Sequence, residues 1–148
     1  MILAMNYVRK ELRCFFMPLK VQELFANLVE RERVHGHHSP EGQAIRTLSR
    51  ALDAWSAGNL VGAEAVILCA QAIEDWLKRR LNLSPWSATS LNSLLAAAVA
   101  ANLLEPGESE RLQPLLSYRT ESATRAFTLA EVEIILRASI EVVAQHWS

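Results

Sequence analysis

Residues 60–81 constrain this chain more than any other stretch. Val66, Ala70, Ile73, Leu77 and Leu81 recur at steps of three and four, the spacing of one helical face. The run 65–70 has no polar side chain, and Ile67 and Leu68 within it fall outside the main apolar arc. A helix apolar over so wide an arc must bury more than one side, which places it in the middle of a helical bundle. Gln71, Glu74, Asp75 and Lys78 close over the outer arc, with Glu74 at its edge beside the core. A preceding helix carries Ile45, Leu48, Leu52 and Trp55 on one face and joins the first through a turn at Gly58-Asn59.

The remaining segments supply partners for this pair. Residues 2–16 form an amphipathic helix with Met5, Val8, Leu12 and Phe15 on one side, ended or kinked by Pro18. A second helix over 19–33 has Val21, Leu24, Phe25, Leu28 and Val29 as its apolar face. His35, His37 and His38 sit in a loop; a structural zinc site needs four fixed ligands, and no further ligand stands at a suitable spacing, so no metal is expected. Ser39 reads as a helix cap with Pro40 in the first turn. Beyond the turn 82–87, Leu91, Leu94, Leu95 and Ala98 mark a helix whose alanines over 96–101 suit close packing, broken at Asn102 and Glu105-Pro106-Gly107. Leu112, Leu115 and Leu116 point inward from a short helix, in which Pro114 predicts a kink or a late start. Thr128 and Glu131 have the capping-box spacing. The helix they begin has Leu129, Val132, Leu136, Ile140, Val143 and Trp147 inward, with Glu133, Arg137 and Glu141 pairing on the outer side. Trp55, Trp76, Trp86 and Trp147 read as core or interface residues.

No stretch alternates apolar and polar residues with period two, so no strand is expected. The fold class is all-α: an antiparallel bundle of four or five main helices over 39–148, preceded by an N-terminal helical arm over 1–38. With 148 residues and 51% apolar composition, the chain needs neither disulfide nor metal to fold. A net charge of −1 argues against general phosphate gripping, though it leaves room for a local site. Cys14 and Cys69 read as buried free thiols, which suits a reducing cytoplasm. No window reaches 18 uncharged apolar residues, so no membrane span is expected, and charged residues from Arg9 onward argue against a signal peptide. No glycine-rich phosphate loop, nucleophile elbow or HExxH motif is present, and no cofactor is expected.

Two segments carry a family resemblance. Residues 51–65, from Ala51-Leu52-Asp53-Ala54-Trp55 through the small-residue turn to Ala63-Glu64-Ala65, lead on to Ala72-Ile73-Glu74-Asp75-Trp76-Leu77-Lys78. Over 112–143, a short leucine-bearing helix leads to Arg119, a ten-residue stretch follows, and a long helix closes the chain. In order and pattern, residues 41–146 resemble the HEPN superfamily, small helical bundles often encoded beside minimal nucleotidyltransferases. The family motif is an arginine, usually followed by asparagine, with a histidine after four to six intervening residues. In active members two subunits bring their motifs into one cleft as a metal-independent ribonuclease centre. Arg119 takes the arginine position and Thr120 stands where asparagine is usual. The histidine positions hold Thr124, Arg125 and Ala126, and no histidine lies between His38 and His146. Arginine stays protonated and cannot replace histidine as a base, although two guanidinium groups can still hold a phosphate.

The resemblance and this departure from it imply a non-catalytic module that acts as a homodimer and binds a partner protein encoded nearby. That partner would be a nucleotidyltransferase, in a toxin–antitoxin or stress and defence setting. A second reading is an RNA- or nucleotide-binding protein with weak ribonuclease activity, holding phosphate through Arg119, Thr120 and Arg125 beside Glu74. Against both stands the plain reading of Arg119 as a helix-end residue that bonds carbonyls or pairs with Glu74 or Glu121. A third reading is a helical bundle of unrelated ancestry. The expected contact surface comprises Ile67, Leu68 and the arm residues Val8, Leu12 and Phe15.

Overall fold

The computed structural model describes residues 39–56 and 62–146, together with Ala26, Leu28, Glu30 and Arg33. The expectations placed on Val8, Leu12, Phe15, Cys14, the three-histidine loop, the Gly58-Asn59 turn and Trp147 lie outside these residues. Among the described residues the fold is all-α, with no strand. The helices are α1 (Pro40–Ser56), α2 (Ala63–Arg80), α3 (Leu91–Ala100), α4 (Pro106–Arg111), α5 (Gln113–Glu121) and α6 (Leu129–Gln145).

Helix α2 is the centre of the bundle. It packs most extensively on α1 and also touches α3, α5 and α6, while α1 meets α6 on its other side. Its width of apolar surface is the cause: Ala65, Val66, Leu68, Cys69, Ala70, Ala72, Ile73, Trp76 and Leu77 are all buried. Ile45, Leu48 and Trp55 of α1 and Val132, Leu136, Ile140 and Val143 of α6 close the same core, and Leu28 lies in it too. Burial holds the Cys69 thiol well above its ordinary range, at about 12, a shift opposed by its hydrogen bond to Ser139. It is an inert packing residue.

Local chemistry sets the boundaries. Ser39 Oγ accepts from Gly42 N–H at 3.0 Å, ahead of Pro40 in the first turn of α1. Helices α2 and α3 end alike, with Asn82 and Asn102 in the left-handed region at φ 59° and 62°. The amides of Leu83 and Leu103 reach back to Lys78 and Ala98, and those of Asn82 and Asn102 to Arg79 and Val99. This is the Schellman arrangement, with asparagine in the place glycine usually takes. Pro114 starts α5 late, as its missing N–H requires, and leaves α4 as a separate turn. A polar seam links the helices. Glu41 accepts from Trp76 Nε1 at 2.7 Å and faces Arg80 Nε at 3.5 Å. The Trp76 ring lies 5.6 Å from that of His146, whose Nε2 bonds Glu108 at 3.0 Å.

Four expectations need correction or narrowing. Leu129 is 54% exposed, because the cap at Thr128 turns the first helical residue outward and the core face begins at Val132. Trp86, in the turn expected at 82–87, is 91% exposed, which excludes the core from its core-or-interface reading and leaves a surface contact. The alanines do not mediate close packing: Ala96, Ala97, Ala100 and Ala101 face outward, and Ala98 alone of the five is buried. Glu141 pairs with Arg111 of α4, a contact between helices, so the outer ladder of α6 is reduced to Arg137 and Glu133 at 3.7 Å.

Candidate functional site

Helices α2, α3 and α5 enclose an open groove of about 310 Å³, lined by Glu74, Ser90, Leu91, Asn92, Leu116, Arg119 and Thr120. Three of the four polar residues singled out from the sequence meet here. Glu74 stands on the outer edge of α2, and Arg119 and Thr120 come from the last turns of α5. The α3 N-terminus supplies Ser90 and Asn92, which pattern reading missed. Ser90 is the helix cap, accepting from Ser93 N–H at 3.2 Å, and that signal was present in its spacing ahead of the Leu91–Leu95 run.

Arg119 is exposed, and its guanidinium makes no hydrogen bond or ion pair with any described residue. It does not pair with Glu74 across the groove, and Glu121 is turned to a different partner. Thr120 Oγ1 donates to the Leu116 carbonyl at 3.1 Å. An uncommitted guanidinium beside a helix N-terminus favours an anion, and the Glu74 carboxylate opposes it. The groove therefore suits a ligand that carries both a phosphate or carboxylate and a hydrogen-bond donor for Glu74.

Arg125 does not line this groove. Its Nε donates to Glu121 Oε1 at 2.6 Å, and its two terminal nitrogens donate to Glu131 at 3.2 and 3.0 Å. One of them also reaches the Ala126 carbonyl at 3.0 Å. The guanidinium carbon lies 4.3 Å from the centre of the Phe127 ring and 5.3 Å from that of Tyr118. The bonds to Glu131 and then Glu121 push the Arg125 pKa up. The same contact, aided by the Thr128 amide, lowers that of Glu131 to about 2. This clamp joins the end of α5 to the first turn of α6, where Thr128 and Glu131 form the capping box.

Histidine is remote from this chemistry. His146, the sole histidine among the described residues, is held by Glu108 and lies against Trp76. Among the described residues no group of three or more His, Cys, Asp or Glu side chains is arranged to hold a metal ion. No described helix is long and apolar enough to cross a membrane. Of the expected contact residues, Ile67 is 41% exposed, whereas Leu68 is covered within the chain at 8%. No family model, curated protein or solved structure matches this chain.

Proposed function

We propose that this chain is a non-catalytic, HEPN-like helical module that works as a homodimer and binds a partner protein. The observation that carries this reading is the commitment of Arg125. Its donors are taken up by Glu121, Glu131 and the Ala126 carbonyl, so the second phosphate-holding group of the motif region is occupied within the chain. The positions where the family places its proton-transfer histidine hold Thr124, Arg125 and Ala126, none of which titrates near neutrality. What remains suits binding better than chemistry. Exposed apolar side chains on several elements, Trp86 and Ile134 among them, are consistent with protein contacts.

The test is to incubate purified full-length protein with single-stranded RNA without metal, beside an Arg119→Ala variant. Intact RNA in both tubes is the expected result. Cleavage by the wild type that Arg119→Ala abolishes would overturn the non-catalytic reading.

A second reading, an RNA- or nucleotide-binding protein, keeps one observation in its favour. Arg119 stands uncommitted in a groove with Ser90, Asn92 and Thr120. Titration with a fluorescent mononucleotide checks it: binding that Arg119→Ala removes and Arg125→Ala leaves in place supports a nucleotide site.

A further inference from the structure

A second open groove shares no residue with the one at Arg119. It measures about 450 Å³ and runs between α6 and the elbow of α4 and α5. Ala130, Ile134 and Ala138 of α6 line it at successive steps of four, with Pro114 opposite. Ile134 is 56% exposed and, with Leu129 at the first turn, is one of the two large apolar side chains that α6 leaves outside the core. Glu110, Arg111, Glu133 and Arg137 form the rim.

We propose that a second copy of this chain docks on this face, with the two α6 helices antiparallel about a two-fold axis beside Ile134. The proposal rests on the homodimer reading above and names its surface.

The rim charges select the occupant. Two acids and two bases sum to zero, so the rim neither draws nucleic acid nor matches a strongly charged protein. A two-fold contact must be self-complementary, since each residue that meets another is met by it in return. Glu133 and Arg137 satisfy that condition. They lie one turn apart, with the level of Ile135 midway between them and Ile134 one residue from it. An antiparallel pairing centred there sets Glu133 level with Arg137 of the partner subunit, and Arg137 level with Glu133 of the partner subunit. Two equal ion pairs then bracket the Ile134 contact. Their present partner is each other at 3.7 Å, a loose surface pair that leaves both groups available. Ala130, one turn before Ile134, keeps the helix narrow enough for close approach, and Ala138, one turn beyond, is already buried in the core. The face shares no lining residue with the Arg119 groove. It therefore differs from the shared-motif cleft that the family resemblance implies.

The test measures oligomeric state by sedimentation equilibrium and light scattering on the full chain, with far-UV circular dichroism as the folding control. A dimeric wild type is expected. Ile134→Glu should raise its dissociation constant by ~tenfold or more, as loss of a central apolar anchor does. Ile67→Glu, on α2, should leave it unchanged. Glu133→Arg and Arg137→Glu should each weaken the dimer, and the double reversal should restore it. The charge series decides the matter if Ile134→Glu fails to fold. A dimer indifferent to Ile134→Glu, dissociated by Ile67→Glu, or not restored by the double reversal overturns this surface while dimerisation stands. A monomeric wild type overturns both.

Discussion

Two arginines on the same short stretch have opposite circumstances. Arg125 is bonded to two carboxylates and a carbonyl and covers two aromatic rings, whereas Arg119, six residues earlier, bonds nothing among the described residues. Guanidinium chemistry is the same in both. The difference lies in what the chain places around each one. Arg125 follows the end of α5, where the chain must turn into α6, and two helix ends need joining. Arg119 still lies on a helix, facing α3 across a groove. The corner at Arg125 is therefore structural, and the groove at Arg119 is the part with unused binding capacity. Substitutions should separate the two, stability responding at the corner and ligand binding at the groove.

The largest effect is expected at Gly62, which belongs to the corner. Its φ is +66°, and a Cβ there would meet Val132 Cγ2 at 2.9 Å and Phe127 Cβ at 3.3 Å. Left-handed backbone costs an alanine roughly 1–2 kcal/mol, and the close approach to Val132 adds to it. Gly62→Ala should lower unfolding free energy by ~2 kcal/mol or more in urea titration. A neutral result would mean that α2 and α6 can separate at this end, and the corner would lose its structural role.

Smaller losses should follow from the clamp and cap. Thr128→Ala removes the oxygen that accepts from Glu131 N–H at 3.1 Å and should cost ~1 kcal/mol. Arg125→Ala should lower the midpoint of thermal unfolding and leave any binding in the groove intact. The clamp also predicts an acid dependence. Glu131 has its pKa depressed to about 2 in the folded chain, chiefly by Arg125. The folded state therefore binds this proton less readily than the unfolded one. The stability it contributes is complete above the ordinary glutamate range and is lost as pH falls through that range toward 2. Glu131→Gln should be less stable than wild type near neutrality and should lose less on acidification, as urea midpoints across that window will show. An unchanged slope would mean that Arg125 and Glu131 are not held together in solution.

The fold behind this contrast is legible in the sequence, whereas the contrast itself is not. The apolar width of residues 60–81 required a central helix, and α2 is that helix because a surface helix could not cover Ile73 and Leu68 together. The capping spacing at Thr128 and Glu131, and the proline at 114, marked helix starts through rules that act within one turn. Arg119, Thr120 and Glu74 were selected by position in a pattern, and tertiary packing sets them around one groove. Pattern could not reveal which arginine would be committed. Glu121, four residues before Arg125, is a local partner that spacing suggests, but Glu131 reaches it only after the chain has turned. Leu129 is misplaced for a related reason: hydrophobicity states a preference for burial, and a first turn can leave it unmet.

The smallest stability effect, and the most informative, belongs to Arg119→Ala. An exposed side chain that bonds nothing has little to lose, so the change should stay within about 0.5 kcal/mol of wild type in urea titration. It carries a positive charge in a groove that contains a carboxylate at Glu74, and removing it leaves that carboxylate dominant. Stability should therefore be untouched while affinity for an anion falls, a pattern Arg125→Ala should reverse. Isothermal titration with a mononucleotide, run on both variants beside their unfolding curves, measures the two quantities on the same samples. If Arg119→Ala destabilises the chain as much as Arg125→Ala does, Arg119 has structural partners in solution. The distinction between a committed corner and an uncommitted groove would then collapse, because both guanidinium groups would be serving the fold.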